Sequence, residues 1–416
     1  MLTILYARAG QDTRRELLER LGRGRAARRM LLVPENDSHE SERAMCRVLG
    51  NRAAQGCEVL SLSRLAGRLT DAAGGGAAPV LDAGGRMLLM YAALRQVADQ
   101  LKLYRAPSRK PAFLTGLLAT VDECRASQVP PQRLIQAGEQ SGGQQGDKWR
   151  DIGLIYAAYE ALAAQSAADP RDRMDRLAQQ LRQTGWAQGA QSCVLGFTDF
   201  CAQEEQVLLA LAAQGELTVA LTGGREESGE LFRPGRRAAA RLLRKARQEG
   251  IPVQEQWLER PRQAHPSLTH LERHLFGPLP PPWQGECRVY RTAAADPRRE
   301  VEGVAAQILG LLRQDGLRCR DIVVCARSMD VYGELIGGVF EQYGIPVFRS
   351  AMEDVLQKPV LALVTAALSA AAEDYPYEEL FRYLKTDLTG VSRGERDALE
   401  NYVLNWNIRE IGRAHV

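Results

Sequence analysis

The chain has 416 residues, of which 45% are hydrophobic and 25% charged, and its 54 basic and 51 acidic side chains leave a formal net charge of +3. This composition is typical of a globular protein with a sizeable core. The charge balance neither requires nor excludes nucleic acid as a partner, so any contact with DNA must come from local patches. No run approaches the ~18 apolar residues of a membrane-spanning helix, so we expect a cytoplasmic protein with no membrane partner.

Three strands alternate with helices at the start of the chain. An apolar strand is predicted over Leu2–Tyr6, and a charged amphipathic helix follows it. Further strands are predicted at Met30–Val33 and Val59–Leu62, each leading into another helix. Strands that alternate with helices in this way indicate a parallel α/β sheet, whose first part we assign to residues 1–70.

The pattern then becomes purely helical, which predicts a helical insertion over residues 71–190. Strands resume at Val194–Phe197 and Leu217–Thr222, and residues 191–277 therefore complete the first domain. Four prolines between positions 278 and 282 indicate a linker over residues 278–285.

A second α/β unit is predicted after the linker, over residues 286–356. Its strands are expected at Cys287–Tyr290, Asp321–Cys325 and Ile345–Phe348, with helices between them. Residues 357–410 return to helical periodicity and are interpreted as the start of a second insertion. The last six residues, 411–416, have the sequence IGRAHV and are expected to be a non-native tail.

The turn after the first strand has the outline of a phosphate-binding loop. Gly10 is its only glycine, because Asp12 stands where a second glycine belongs and Thr13 stands where a lysine would reach the phosphates. We therefore predict a degenerate, inactive nucleotide-binding site at Gly10, Asp12 and Thr13. An alternative explains the same residues without a ligand: Thr13-x-x-Glu16 is a capping box, and Asp12 interacts favourably with the helix dipole by ~0.3–1 kcal/mol.

The other half of an ATP site should be an Asp-Glu pair after the strand at Val194–Phe197, where it would hold Mg²⁺. The sequence has Thr198-Asp199-Phe200 at this point, and the nearest glutamates already lie in the next helix. Eight cysteines without a CxxC pair predict reduced thiols. His39, His265, His270 and His274 have no cysteine or acidic partners at ligand spacing, which predicts no metal site. We expect no catalytic residue and no bound cofactor in this chain.

Five segments, in this order, resemble the N-terminal region of the AddB family, the non-motor subunits of bacterial AddAB helicase–nucleases: residues 31–50, 58–69, 194–211, 300–348 and 380–388. The resemblance implies a superfamily-1 helicase architecture of two RecA-like parallel-sheet domains with helical insertions, the first domain complete and the second partial.

The resemblance also implies a function. Proteins of this family bind single- and double-stranded DNA during double-strand-break repair and scan the single strand for a recombination hotspot. The partner in a heterodimer is an AddA-type helicase–nuclease subunit, which would supply ATP hydrolysis. In the family, the nuclease with its Mg²⁺ and a [4Fe–4S] cluster lie in a C-terminal region that this chain lacks, so the chain is interpreted as an N-terminal fragment.

Polar and aromatic residues at the ends of the predicted strands are the candidate DNA contacts. Hydroxyl, amide and guanidinium donors there can bind phosphates, and phenylalanines can stack on bases. The resemblance and the positions together give the following candidates: Asn36, Ser38, Ser61, Ser63, Arg64, Phe197 and Phe200. The alternative is that Ser63 caps a helix, Arg64 is a solvated side chain and Phe197 belongs to the core.

Two other functions remain open at this point. An active superfamily-1 helicase would need the missing lysine and the Asp-Glu pair. A purely structural scaffold would not contact DNA at all.

Overall fold

The computed structural model describes residues 1–54, 56–72, 80–104, 111–166, 169–224, 230–261, 264–277, 279–349 and 355–408. The chain divides into two compact units, Met1–Tyr290 and Arg291–Val416. The predicted non-native tail at residues 411–416 lies outside the described residues. No helix in the described ranges is long and apolar enough to cross a membrane.

The first unit contains one parallel sheet of six strands: β1 Leu2–Ala7, β2 Arg29–Leu32, β3 Cys57–Leu60, β4 Gln191–Val194, β5 Glu216–Thr222 and β6 Val253–Trp257. The strand order is β3-β2-β4-β5-β1-β6, and every neighbouring pair is parallel. All six residues of β1 are buried because helices cover both faces of the sheet. The predicted parallel α/β class is confirmed.

Eleven helices accompany this sheet in the described part of the first unit: α1 Thr13–Arg23, α2 Ser38–Ala54, α3 Leu62–Ala72, α4 Ala83–Val97, α5 Pro111–Ala126, α6 Pro131–Ser141, α7 Gly143–Gln165, α8 Arg173–Thr184, α9 Ala202–Gln214, α10 Arg233–Gln248 and α11 Pro266–His274. Helix α2 is interrupted at Gly50, whose φ of 73° favours glycine.

Different helices pack on the two faces of the sheet. On one face, Leu5 of β1 packs with Leu18 of α1 and Met45 of α2. On the other face, Ile4 belongs to a core that includes Leu65 of α3 and the buried sides of α8, α9 and α10. This split follows from the alternation of side chains along a strand.

The helical insertion has a core of its own, built from α4, α5, α6 and α7 around Met90, Leu117, Ile155 and Tyr159. Helix α8 also falls within the predicted range 71–190, but its Leu181 packs into the core of the sheet. The separately packed part of the insertion is therefore α4–α7.

A buried charge cluster joins the helices of the insertion around Asp169, which is 1% exposed. Its carboxylate accepts hydrogen bonds from Arg125 at 2.8 Å and from the Tyr159 hydroxyl at 2.7 Å, and Arg86 lies 3.2 Å away. Arg86 also pairs with Asp122. Because α4, α5 and α7 each contribute a member, the cluster fixes their relative positions.

Helices α6 and α7 approach so closely that glycines are needed between them. A Cβ atom added to Gly146 would lie 2.4 Å from the carbonyl oxygen of Gly138. We expect Gly146→Ala to lower the free energy of unfolding by ~1–3 kcal/mol, because the two backbones must separate. Gly67→Ala in α3 is the control: its Cβ meets nothing within 4 Å, so alanine should stabilise the helix by ~0.5–1 kcal/mol. Thermal unfolding measures both, and shifts of the same sign would contradict this account.

The second unit consists of helices in its described residues: α12 Pro297–Gln314, α13 Met329–Gln342, α14 Pro359–Ala372, α15 Tyr377–Leu384 and α16 Arg393–Asn405. Helices α12 and α13 share a core that contains Ile308, Ile336 and Phe340. Helices α15 and α16 form a smaller cluster that buries Phe381 and Val403.

The strand predictions at Cys287–Tyr290, Asp321–Cys325 and Ile345–Phe348 are wrong for the described residues. None of the three segments joins a ladder of backbone hydrogen bonds. A strand needs a neighbour to satisfy its backbone and a layer to bury its side chains, and here Val323 is 81% and Phe348 92% exposed.

Candidate functional site

The carboxyl ends of the six parallel strands meet at one edge of the sheet, which is where α/β proteins place their ligands. The loop after β1 is the predicted nucleotide loop. Its Gly10 lies against helix α11, since an added Cβ would be 3.3 Å from a carboxylate oxygen of Glu272. Arg8 holds that carboxylate in place: its Nε lies 3.0 Å from Glu272 Oε1. A carboxylate of the protein therefore stands beside the loop where a phosphate would have to bind.

Asp12, rather than Thr13, is the N-terminal cap of α1. Its side chain accepts a hydrogen bond from the backbone N–H of Arg15 at 3.3 Å, and Thr13 is the first residue of the helix. The predicted capping box is wrong by one residue, and Glu16 instead pairs with Arg20 at 2.8 Å. Since Asp12 already satisfies the helix terminus, the loop offers a phosphate a negative charge and no lysine.

Further carboxylates neutralise the arginines around this loop. Arg260 lies 2.9 Å from Glu19 and 3.7 Å from Glu16. Hydrogen bonds from Arg260 and Arg15 lower the pKa of Glu19 to about 2. Each of these cations is thus paired with a carboxylate of the protein.

The loop after β4 and the helix that follows it contribute two carboxylates, Asp199 and Glu205. Asp199 forms an ion pair with Arg241 of α10. Glu205 is 2% exposed, and it accepts hydrogen bonds from Arg241 at 2.8 Å and contacts Lys245 at 2.6 Å. Both carboxylates are held by cations. Among the described residues, no three His, Cys, Asp or Glu side chains come together in a group that could hold a metal ion.

Asn36 lies in the loop after β2, and Ser38 is the first residue of α2. Asn36 is exposed, whereas Ser38 is buried and its hydroxyl has no hydrogen-bond partner among the described residues. Between them, Asp37 accepts two hydrogen bonds from Arg14 of α1, at 3.0 and 2.8 Å. Nη2 of Arg14 donates both of these bonds and therefore fixes the loop, in which the Asn36 amide is an exposed donor.

The loop after β3 is short: it consists of Ser61, and Ser63 and Arg64 lie in the first turn of α3 that follows it. Ser61 is buried, and its hydroxyl oxygen accepts a hydrogen bond from the backbone N–H of Arg64 at 3.2 Å. Ser61 thus caps α3, so the alternative that assigned the cap to Ser63 is wrong. Ser63 is exposed, and the half-exposed Arg64 guanidinium lies 3.2 Å from Glu42 of α2.

The loop after β4 carries the two predicted aromatic contacts. The rings of Phe197 and Phe200 stack on each other, with centroids 5.2 Å apart. Phe200 is buried in the core of the sheet, while Phe197 is half-buried and packs against that core. Phe200 is therefore not accessible to a base, and it supports the ring of Phe197 from below.

These three loops belong to neighbouring strands, because β2 lies between β3 and β4. The loops after β2 and β4 touch: Gly196 has a φ of 88°, and an added Cβ would lie 3.1 Å from the Pro34 ring. The accessible candidates are thus Asn36, Ser63, Arg64 and Phe197. Sequence reasoning missed Arg14 and Glu42, which position or pair with them, since neither carries a local signal.

Comparison with known proteins gives consistent results. Residues 4–272 match the family described as "ADDB, N-terminal". Three similar proteins are named as the B subunits of ATP-dependent helicase/deoxyribonucleases. They come from Pelotomaculum thermopropionicum (35% identical over 98% of this chain), Symbiobacterium thermophilum (34% over 92%) and Desulforudis audaxviator (36% over 91%). The matches cover 37%, 35% and 34% of those proteins, so the chain spans about a third of their length.

Proposed function

Because the chain belongs to the AddB N-terminal family, we propose that it is the part of an AddB-type helicase–deoxyribonuclease component that binds single-stranded DNA without turning over ATP. In this proposal, ATP hydrolysis comes from an AddA-type partner in a heterodimer, and the assembly processes double-strand breaks for recombinational repair. The single strand passes over the loops after β2, β3 and β4, where a hotspot sequence would be read. Mg²⁺ and a [4Fe–4S] cluster would belong to a region of such proteins that does not align with this chain.

One observation carries the proposal. The sheet edge presents accessible donors and an aromatic ring on three adjacent loops, while the nucleotide loop beside them is closed by Glu272 and Asp12. The residues at the carboxyl ends of the strands thus favour the binding of a nucleic acid over the binding of a nucleotide. The same closure gives no support to the alternative of an active helicase.

Each accessible residue has a distinct role in this proposal. Arg64 and Ser63 donate to phosphate oxygens, and the Asn36 amide can donate to a phosphate or a base edge. The ring of Phe197, supported by Phe200, can stack on a base, which contributes ~1–3 kcal/mol. Ser38 and Ser61 are buried and do not contact DNA in this proposal.

The ion pair between Arg64 and Glu42 allows a test in which substitutions of its two members have opposite effects on DNA affinity. Arg64→Ala should weaken single-strand binding by ~1–3 kcal/mol, the range for a charge-assisted hydrogen bond. It should also reduce the slope of log affinity against log salt by ~0.7. Glu42→Gln frees Arg64 from its competitor, and it should tighten binding. Fluorescence anisotropy with two unrelated oligonucleotides measures both effects.

The control is Arg23→Ala, since Arg23 is the last residue of α1, at the end opposite to the loop after β1, and pairs with Glu19. It should leave affinity and salt slope unchanged. If Arg64→Ala behaves like Arg23→Ala in a folded protein, the loop after β3 does not contact DNA.

A further inference from the structure

The outer face of helix α10 carries a row of exposed arginines. Its 16 residues, RPGRRAAARLLRKARQ, include seven basic side chains and neither an acidic nor an aromatic one. At about 100° per residue, Arg233, Arg237, Arg244 and Arg247 fall within an arc of about 80°. Arg237, Arg244 and Arg247 are all exposed.

Two other helices, α1 and α12, compensate arginines on their surfaces with a glutamate. On α1, Arg15 and Arg23 both pair with Glu19, and on α12, Arg298 and Arg299 both pair with Glu302.

Within α10 itself, the side chains that face the sheet or the preceding loop are also paired. Arg241 and Lys245 hold Glu205, and Arg233 lies 2.7 Å from Glu230. In contrast, no hydrogen bond or ion pair joins the side chains of Arg237, Arg244 or Arg247 to another residue in the described ranges. Within that part of the chain, Arg233, Arg241 and Lys245 are paired, whereas three arginines of the outer face have no partner.

We propose that the outer face of α10 contacts the phosphate backbone of duplex DNA, independently of base sequence. Guanidinium groups match phosphate geometry, and the span from Arg237 to Arg247 is a rigid row of about 15 Å. Surfaces that bind single strands add aromatic rings for stacking, and α10 has none. A straight row of cations without rings therefore fits the regular backbone of a duplex.

The position of α10 relates this surface to the single-strand loops. The helix returns the chain from the carboxyl end of β5 toward the start of β6. Arg237 is therefore nearer than Arg247 to the edge where the candidate loops lie. A duplex on α10 would thus approach the single-strand surface at one end. The inference rests on the proposed function for the presence of DNA, but it concerns a separate surface.

The test compares two triple variants of equal charge in the whole chain. One is Arg237→Gln, Arg244→Gln, Arg247→Gln. The matched control is Arg25→Gln, Arg95→Gln, Arg133→Gln, which removes three exposed arginines from α4, α6 and the turn after α1. Anisotropy titrations over a range of salt use a duplex of about 20 bp, with both ends capped by hairpins, and a (dT)₂₀ single strand. Thermal unfolding checks that both variants fold.

For the α10 variant, the salt slope for the duplex should fall by about 2–3, at ~0.9 for each phosphate that is no longer neutralised, with at least a tenfold loss of duplex affinity at about 0.1 M salt. Binding of (dT)₂₀ should change less than twofold. Duplex binding equal to that of the control variant would overturn the proposal, as would an equal loss for duplex and single strand. If the unmodified chain binds the duplex but not (dT)₂₀, the proposed function fails while this inference stands.

Discussion

Replacing Asp169 with alanine is expected to destabilise the helical insertion by ~3–5 kcal/mol, the cost of leaving buried charges without their counterion. The side chains of Arg86 and Arg125 are both about nine-tenths buried, and each points at this carboxylate. Alanine would leave the two guanidinium groups and the Tyr159 hydroxyl without their shared acceptor. Hydrogen exchange of the amides in α7 reports this local free energy directly. The control is Asp99→Ala, at an exposed carboxylate, which should change stability by less than ~0.5 kcal/mol.

The same cluster predicts a pH dependence. Burial acts to raise the pKa of Asp169, but hydrogen bonds from the Arg171 backbone and Tyr159, with the charges of Arg86 and Arg125, outweigh burial and lower it. A lowered pKa stabilises the fold at pH values above the unfolded value of ~3.9, and this contribution is lost as pH falls through the folded pKa. The difference between wild type and Asp169→Asn should therefore shrink below about pH 4. A difference that is constant with pH would contradict this assignment.

The second large effect concerns nucleotide binding: the chain should bind no ATP–Mg²⁺ in the micromolar range. Two like charges ~4 Å apart at an effective dielectric of ~20 repel by ~4 kcal/mol, or about a thousandfold in affinity. Both Asp12 and Glu272 impose such a cost beside Gly10. Thr13→Lys alone should therefore not restore binding. Isothermal titration calorimetry measures the outcome.

A combined variant tests whether the two carboxylates and the missing lysine together prevent ATP binding. Asp12→Gly, Thr13→Lys and Glu272→Gln together remove both carboxylates and supply the lysine, so weak ATP binding should become measurable. Hydrolysis should remain absent, since Asp199 and Glu205 are held by Arg241 and Lys245. Micromolar binding by the unmodified chain, or by Thr13→Lys alone, would contradict this account of the loop.

Much of the first unit could be predicted from the sequence. Strands β1, β2, β3 and β5 overlap the apolar runs predicted for them, because burial on both faces produces such runs. The strand predicted at Val194–Phe197 is wrong in its bounds, since β4 is Gln191–Val194 and ends where the predicted strand begins. Strand β6, Val253–Trp257, was missed because it is an outermost strand of the sheet and its apolar residues are separated by polar ones. In the second unit, periodicity detected helices α12 and α13, whose core is local. It could not show whether the apolar segments beside them find strand partners.

The family resemblance predicted from five ordered segments is confirmed: the family match over residues 4–272 contains the first three segments, and the similar proteins align with 91–98% of the chain. The candidate site was predictable only in outline. Residue types at strand ends indicate the edge, because parallel strands bring their carboxyl ends together. Which of them stay accessible depends on contacts between distant segments, such as Arg64 with Glu42 or Gly10 with Glu272. The choice of Asp12 over Thr13 as a cap was not predictable, since both residue types cap well.

The central claim is that single-stranded DNA crosses the carboxyl ends of β2, β3 and β4 without help from a nucleotide. Photocrosslinking with an oligonucleotide that carries 5-bromodeoxyuridine, followed by mass spectrometry of the peptides, tests it most directly. We expect adducts on peptides that contain Phe197 and Ser63–Arg64, at equal yield with and without ATP–Mg²⁺. Adducts that avoid all three loops, or that form only when ATP–Mg²⁺ is present, would contradict the account.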